Sequence, residues 1–265
     1  MEDRSQYILS SLDNALSILN LFFDSGEITA AEASEELGIS RTAAYRMLVT
    51  MEARGFLARG RGSGYRLGVK IFSLGQLAQR RMVLTDLVHP SLAGLADKTG
   101  ETAHLIVMDG AYNVVFIDKV LGRLNLKMDT VLGLRLWAHQ TAGGKAMLAW
   151  REESFLKEYI RKADFRKITP NTIGSGEELE KELRQIRKSG WARDNEETEP
   201  GLTCFAVPVF AGGSQPAAAI SCSGPTTRMA ANRDARLTAL RTAARAIEAR
   251  IGASSGSEQA SQPPY

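Results

Sequence analysis

Residues 37–67, LGISRTAAYRMLVTMEARGFLARGRGSGYRL, limit what the chain can fold into more than any other stretch. Ala44, Met47, Leu48 and Met51 recur at helical spacing, so one face of that helix is apolar and has to pack on a neighbour. Arg41, Thr42, Tyr45 and Arg46 fall on the opposite side, and Ser40 stands where the helix needs a cap. Thr29 is placed to cap a preceding helix over 30–37, with Gly38 supplying the turn between the two. Beyond Gly55, strand candidates at 56–59 and 65–67 flank GRGSG, whose glycines suit a hairpin tip. A dinucleotide fingerprint is excluded, because Gly62 is followed by Gly64 and Tyr65 and no third glycine comes at the required spacing. This order predicts a winged helix-turn-helix that reads double-stranded DNA. Arginine forks onto guanine in the major groove, hydroxyls serve base edges or phosphates, and the wing residues Arg59, Arg61 and Arg66 reach phosphates or the minor groove.

Charge distribution supports that expectation better than the net charge of +3 does. From residue 10 to 38 every ionisable side chain is acidic, whereas from 39 to 81 Glu52 alone opposes nine arginines and lysines. A change of sign at the turn between two helices puts positive charge on one side of a small domain, where phosphates release counterions on contact.

A chain of 265 residues with 44% hydrophobic content predicts two domains. Residues 1–9 read as a flexible leader. A first helix is expected over 10–24, capped by Ser10 or Ser11, with an apolar stripe wider than one neighbour covers. A linker helix is expected over 69–84. The next helix has Pro90 just inside its start and ends at Gly100. From Glu101 the period changes: ETAHLIVMDG and NVVFIDKV alternate as strands, 124–128 reads as a third, and further strands follow at 191–192, 204–210 and 217–223. Residues 141–150 read as a loop entering a helix, further helices are expected over 153–162, 176–189 and 233–251, and the Ser-rich tail over 253–265 reads as disordered. Strands broken by helices on an antiparallel plan make the second domain, 85–252, α+β. No apolar run reaches membrane-spanning length, Cys204 and Cys222 lack the spacing of a zinc site or disulfide framework, and the cytoplasm is the expected compartment.

The order of these parts and their wording resembles the IclR family of bacterial transcription regulators. The words are SLDNALSILNLF, LGISRTAAYRMLVTMEARGFL, YRLG, TGETAHL, TAGGKAMLAW, WARDNEETEPGLTCFAVPVF and AAAISCSGPTTR. The resemblance implies an N-terminal winged helix-turn-helix, a linker helix and a GAF/profilin-like antiparallel-sheet domain that binds a small-molecule effector. It also implies a homodimer or homotetramer, with repressors among its members. Carried over position by position, it puts effector contacts at Leu126, Gly143, Asp194, Cys204, Ser221 and Ser223, with Trp137 lining the pocket. The chemistry of those positions suits a small organic or sugar acid. Period two puts Ser221 and Ser223 on one strand face, and Gly143 and Gly144 precede a helix start whose amides suit a carboxylate. Asp194 can accept from a ligand hydroxyl. No cofactor, metal or catalytic residue is expected. Lys145 lacks the rest of a Walker sequence, the acidic run 194–199 lacks a calcium loop's spacing, and Cys204, His139 and Asp194 come without a nucleophile elbow.

Overall fold

The computed structural model describes residues 7–81, 83–110 and 112–255. Most of the expected leader and the end of the expected tail lie outside the described residues. The chain separates into two compact units, Met1–Arg81 and Met82–Tyr265.

In the first unit, α1 (Ser10–Leu21) starts one residue after Leu9, whose carbonyl takes the amides of Leu12 and Asp13. Ser10 is already helical, so neither expected serine caps it, and the helix stops at Leu21, earlier than its apolar period suggests. Thr29 and Glu32 form a reciprocal capping box on α2 (Ala30–Leu37), Thr29 N–H donating to Glu32 Oε2 at 2.7 Å. Gly38 turns at φ +62°, a left-handed backbone that glycine adopts freely, and Ser40 Oγ then accepts the Ala43 amide to start α3 (Arg41–Ala53). Strands β1 (Leu57–Arg59) and β2 (Tyr65–Leu67) pair antiparallel as the wing. Ile18, Ile28, Ala33, Ala44, Leu48, Leu57 and Tyr65 fill one core between these elements. The helix expected over 69–84 ends earlier, as α4 (Val69–Arg81), and Val83 and Leu84 already belong to the next helix.

The second unit opens with α5 (Val83–Thr99), which contains Pro90 in its interior and not near its start. Leu84 and Val88, both buried before the proline, explain the earlier start. Each buried side chain contributes roughly 1.5–3 kcal/mol, which together offsets the cost of about 3 kcal/mol for an interior proline. The strands β3 (Thr102–Met108), β4 (Asn113–Val120), β5 (Arg135–Trp137), β6 (Ala192–Asn195), β7 (Leu202–Phe210) and β8 (Pro216–Pro225) join in the order β5-β4-β3-β8-β7-β6. Every neighbouring pair is antiparallel. Period two divides the central strands between two cores. Ala103, Leu105, Val107, Phe205, Val207, Ile220 and Cys222 pack with α5 and α10 (Arg233–Ser255). Ile106, Met108, Ala206 and Ala219 face α6 (Ala142–Leu148), α7 (Glu153–Lys162) and α8 (Gly176–Ser189).

Two expectations differ from the structure here. Residues 124–128 form no strand: Leu124 and Leu126 are exposed, and the carbonyls of Leu126 and Met128 are taken by Arg228 Nη2 and Thr102 Oγ1, leaving no ladder. The edge strand comes instead from Arg135–Trp137. Helix α10 continues to Ser255, three residues into the stretch read as tail. A short helix α9 (Thr226–Ala231) and a 3-10 turn at Ala138–Gln140 carry no period that could have announced them.

Candidate functional site

Two surfaces answer to the expected chemistry, one in each unit. On α3, Arg41, Thr42, Tyr45 and Arg46 are all exposed, while Ala44, Leu48 and Met51 on the far side are buried. The polar face expected to read DNA is thus kept free of the core. Ser40 is partly committed, because its hydroxyl oxygen caps the helix at 3.2 Å from the Ala43 amide. Arg59 is also committed: its Nε–H donates to Glu52 Oε1 at 3.0 Å and its guanidinium lies 4.4 Å from the centre of the Tyr65 ring. That contact staples the wing to α3. Arg61 is exposed at the wing tip, where its own amide donates to Glu27 Oε2 at 3.0 Å. Glu27 therefore fixes the tip while the Arg61 side chain stays outside.

In the second unit, a cavity of about 150 Å³ opens between the sheet and the start of α6. A space of that size has room for a benzene-sized group. Its walls combine an apolar side, made by Ile106, Phe116, Met128, Leu134, Leu136 and Leu202, with a polar side that includes Thr141, Asp194, Thr198, Cys204, Ser221 and Ser223. The polar side follows from register. Asp194 stands opposite Cys204, Cys204 opposite Ser223, and Ser223 opposite Thr102, so these residues form one row across β6, β7, β8 and β3. Ser221 begins the next row beside His104. Burial pushes the Asp194 carboxyl up from its usual range, although Glu197 N–H and Thr198 Oγ–H both donate to it, at 2.7 and 2.8 Å. Burial also pushes the Cys204 thiol well up, which makes it a poor nucleophile.

The cavity takes in Gly143, Asp194, Cys204, Ser221 and Ser223 but not Leu126, Trp137 or Gly144. Leu126 is 70% exposed, outside the cavity wall. Trp137 stacks on Tyr112 at 6.4 Å and meets the edge of Tyr159, within an aromatic cluster. Gly144 lies inside the first turn of α6, and its amide is taken by Thr141 Oγ1 at 2.9 Å, so it has no donor to offer a ligand. A Cβ there would stand 2.1 Å from the Ala138 carbonyl oxygen, which gives the glycine a packing role. Thr141, Thr198 and the apolar wall escaped the sequence reading. Period two along β3 could have found Ile106, while Met128 and Thr130 sit in coil that carries no such signal. His139 does not join Cys204 and Asp194. Its Nδ1 is 2.7 Å from the Tyr159 hydroxyl, and its ring packs on Phe165.

Burial holds both His104 and His139 down to about 4 from the ordinary 6.5, with nearby Lys119 and Lys145 adding to the effect. Between pH 6.5 and about 4 the unfolded chain consequently binds more protons than the folded one, and stability falls as acid is added. Each histidine contributes up to about 1.4 kcal/mol per pH unit. Urea melts between pH 7 and 5 are expected to show this slope, and His104→Gln should remove about half of it.

Among the described residues, no helix is long and apolar enough to cross a membrane, and no three His, Cys, Asp or Glu side chains gather as a metal site. Residues 11–61 match the profile of the IclR helix-turn-helix domain, and residues 76–249 match that of the bacterial transcriptional regulator IclR C-terminal domain. The chain is 36% identical to the HTH-type transcriptional regulator KdgR of Dickeya chrysanthemi over 252 residues, covering 94% of this chain and 82% of that one. It is 30% identical to the transcriptional repressor IclR of Escherichia coli strain K12, covering 85% and 83%. The crystal structure of the Thermotoga maritima IclR superposes with a TM-score of 0.65 at 35% identity, over 92% of this chain and 99% of that one. The exposed helix face, the wing, the antiparallel sheet and these matches agree: the chain belongs to the IclR family and is a DNA-binding transcriptional regulator.

Proposed function

We propose that this regulator binds a small hydroxy or sugar acid in the cavity of its C-terminal unit, and that occupancy there resets its affinity for operator DNA. The observation that carries the reading is the row Asp194–Cys204–Ser223, polar groups lined up on one wall of an otherwise apolar cavity. A structural core has no need of such a row, since buried polar groups cost free energy unless something satisfies them. The Asp194 carboxylate has more lone pairs than the bonds it accepts from Glu197 and Thr198 use, so a ligand hydroxyl can donate to it. Gly143, at the start of α6, is where the ligand's carboxylate would lie. The apolar wall sets the size of the remainder.

On the DNA side, Ser40, Arg41, Thr42, Tyr45 and Arg46 enter the major groove, with Arg59 and Arg61 on the adjoining backbone. The regulator works in the cytoplasm as a homodimer or homotetramer, so that two recognition helices meet half-sites about one duplex turn apart, or a multiple of it. Leu12, Leu16 and Phe23, each more than half exposed on or next to α1, supply apolar surface for a second copy to bury. Repression is the sign of control that fits the E. coli relative.

Effector can change operator affinity only if it binds one conformational state better than another, and the coupling must be reciprocal. A thermal-shift screen of small hydroxy, keto and sugar acids should find a compound that raises the melting temperature. In paired titrations that compound is expected to change operator affinity by the same factor by which operator changes its own affinity. Independent affinities would refute the coupling, and a screen without stabilising compounds would refute the ligand class.

A further inference from the structure

Asp194 and Thr198, two members of the polar wall, are carried on the segment 194–199, and that segment is held from behind by several side chains. Thr169 Oγ1 donates to the Glu196 carbonyl at 2.6 Å, Thr172 Oγ1 to the Glu197 carbonyl at 2.6 Å, and Asn171 Nδ2 to the Asn195 carbonyl at 3.0 Å. Three successive carbonyls are thereby clamped by one loop. Within the turn, Glu196 adopts φ +60°, a left-handed backbone that a non-glycine residue keeps only when its surroundings enforce it.

The fourth hold comes from the opposite wall. Lys145, fully buried on α6, places Nζ 2.6 and 2.7 Å from the two Glu197 carboxylate oxygens. Glu197 Oε1 also accepts the Asn195 amide at 3.2 Å, and the Glu197 amide donates to Asp194 Oδ1 at 2.7 Å. Lys145 thus connects the helix whose first turn lines one side of the cavity with the turn that lines the other. Neither Lys145 nor Glu197 lines the cavity itself. A buried ion pair is weak evidence of stabilisation, because well-packed apolar side chains of similar volume serve a core as well or better. What apolar side chains cannot do is fix a carboxylate at a set position.

We infer that Lys145 and Glu197 are positioning residues of the effector site: their buried pair, with the clamp from 169–172, fixes Asp194 at a set distance from the Gly143 wall. The inference rests on the effector reading above for its purpose, while its geometry is testable without any effector. In this arrangement the site is built before the ligand arrives, and the ligand does not have to order the turn.

The test compares global stability with local hydrogen exchange in the full-length protein. Lys145→Met alone strands the Glu197 carboxylate and should lower the melting temperature. The double variant Lys145→Met/Glu197→Leu removes both charges of the pair, leaves Glu182, 3.9 Å from Nζ and 33% exposed, to water, and should recover the melting temperature to near the wild-type value. Exchange across 194–199, corrected for intrinsic rates, is nevertheless expected to stay at least tenfold faster than in the wild type, while exchange across β3 is unchanged. Wild-type protection of 194–199 in a double variant that melts normally would overturn the proposal and leave the pair a purely structural one. Should the double variant not fold, Asn171→Ala, which removes the bond to the Asn195 carbonyl without altering charge, must show local acceleration in the same segment; its absence overturns the proposal equally. Neither result depends on whether a ligand of the proposed class is found.

Discussion

Replacing Glu101 by alanine is expected to destabilise the C-terminal unit by about 3–5 kcal/mol, the largest single-site loss the structure predicts. Glu101 is fully buried at the entry to β3. Its Oε1 accepts from Arg228 Nε at 2.9 Å and from Arg236 Nη2 at 3.1 Å, and its Oε2 accepts from Arg228 Nη2 at 2.7 Å. One carboxylate therefore joins β3 to α9 and α10, and Arg228 extends the link to the Leu126 carbonyl. Removing the carboxylate leaves Arg236, whose side chain is 7% exposed, as a buried cation with no counter-charge. Arg228, at 30%, can turn toward water, so most of the cost falls on Arg236. A Glu101→Gln variant keeps the shape and separates the charge from the hydrogen bonds. Urea denaturation followed by circular dichroism measures both, and a loss under about 1 kcal/mol for Glu101→Ala would show that the two arginines find other partners.

The second large effect is on DNA. Removing both Arg41 and Arg46 is expected to weaken binding to a duplex selected by the wild-type protein by roughly 2–6 kcal/mol per half-site, from about 1–3 kcal/mol for each arginine that reads a base. Both side chains are exposed and neither contributes to the core, so the melting temperature should not change. Anisotropy titrations at several salt concentrations divide the loss further. An arginine that contacts only phosphate lowers affinity for all sequences and reduces the salt slope by about one, whereas one that reads a base relaxes preference at one position. Undiminished affinity in the double variant would move the recognition surface away from this face of α3.

Much of this architecture is legible in the chain because it rests on local rules. Thr29 with Glu32, Gly38, and Ser40 announce two helix starts and the turn between them, and each acts as its residue type dictates. The limits of α7 and α8 fall where their periodicity puts them. Strand alternation sends Ser221 and Ser223 to one face, and the cross-strand register then brings Cys204 and Asp194 beside them. Failures came where distant contacts override a local pattern. The alternation LNLKM at 124–128 is a good strand period, but Arg228 and Thr102, far away in sequence, claim its carbonyls. Pro90 marks a helix start by rule and sits mid-helix because Leu84 and Val88 bury the turns before it. Gly144 looked like an open anion site until Thr141 took its amide. The Lys145–Glu197 pair spans 52 residues, and nothing in either neighbourhood points to the other.

The division of β3, β7 and β8 between two cores bears on how such a regulator can change over time. If the proposed effector occupies the cavity, substitutions at Cys204, Ser221 or Ser223 alter what it accepts while Phe205, Ile220 and Cys222, their immediate neighbours, continue to hold α5 and α10. Ligand preference can therefore drift through single replacements without threatening the scaffold. Insertions and deletions have no such freedom: losing one residue from β8 would turn its serines into the helix core and its isoleucine into the cavity, destroying both at once. A lineage built on these strands is open to new signals by point mutation and closed to change of length.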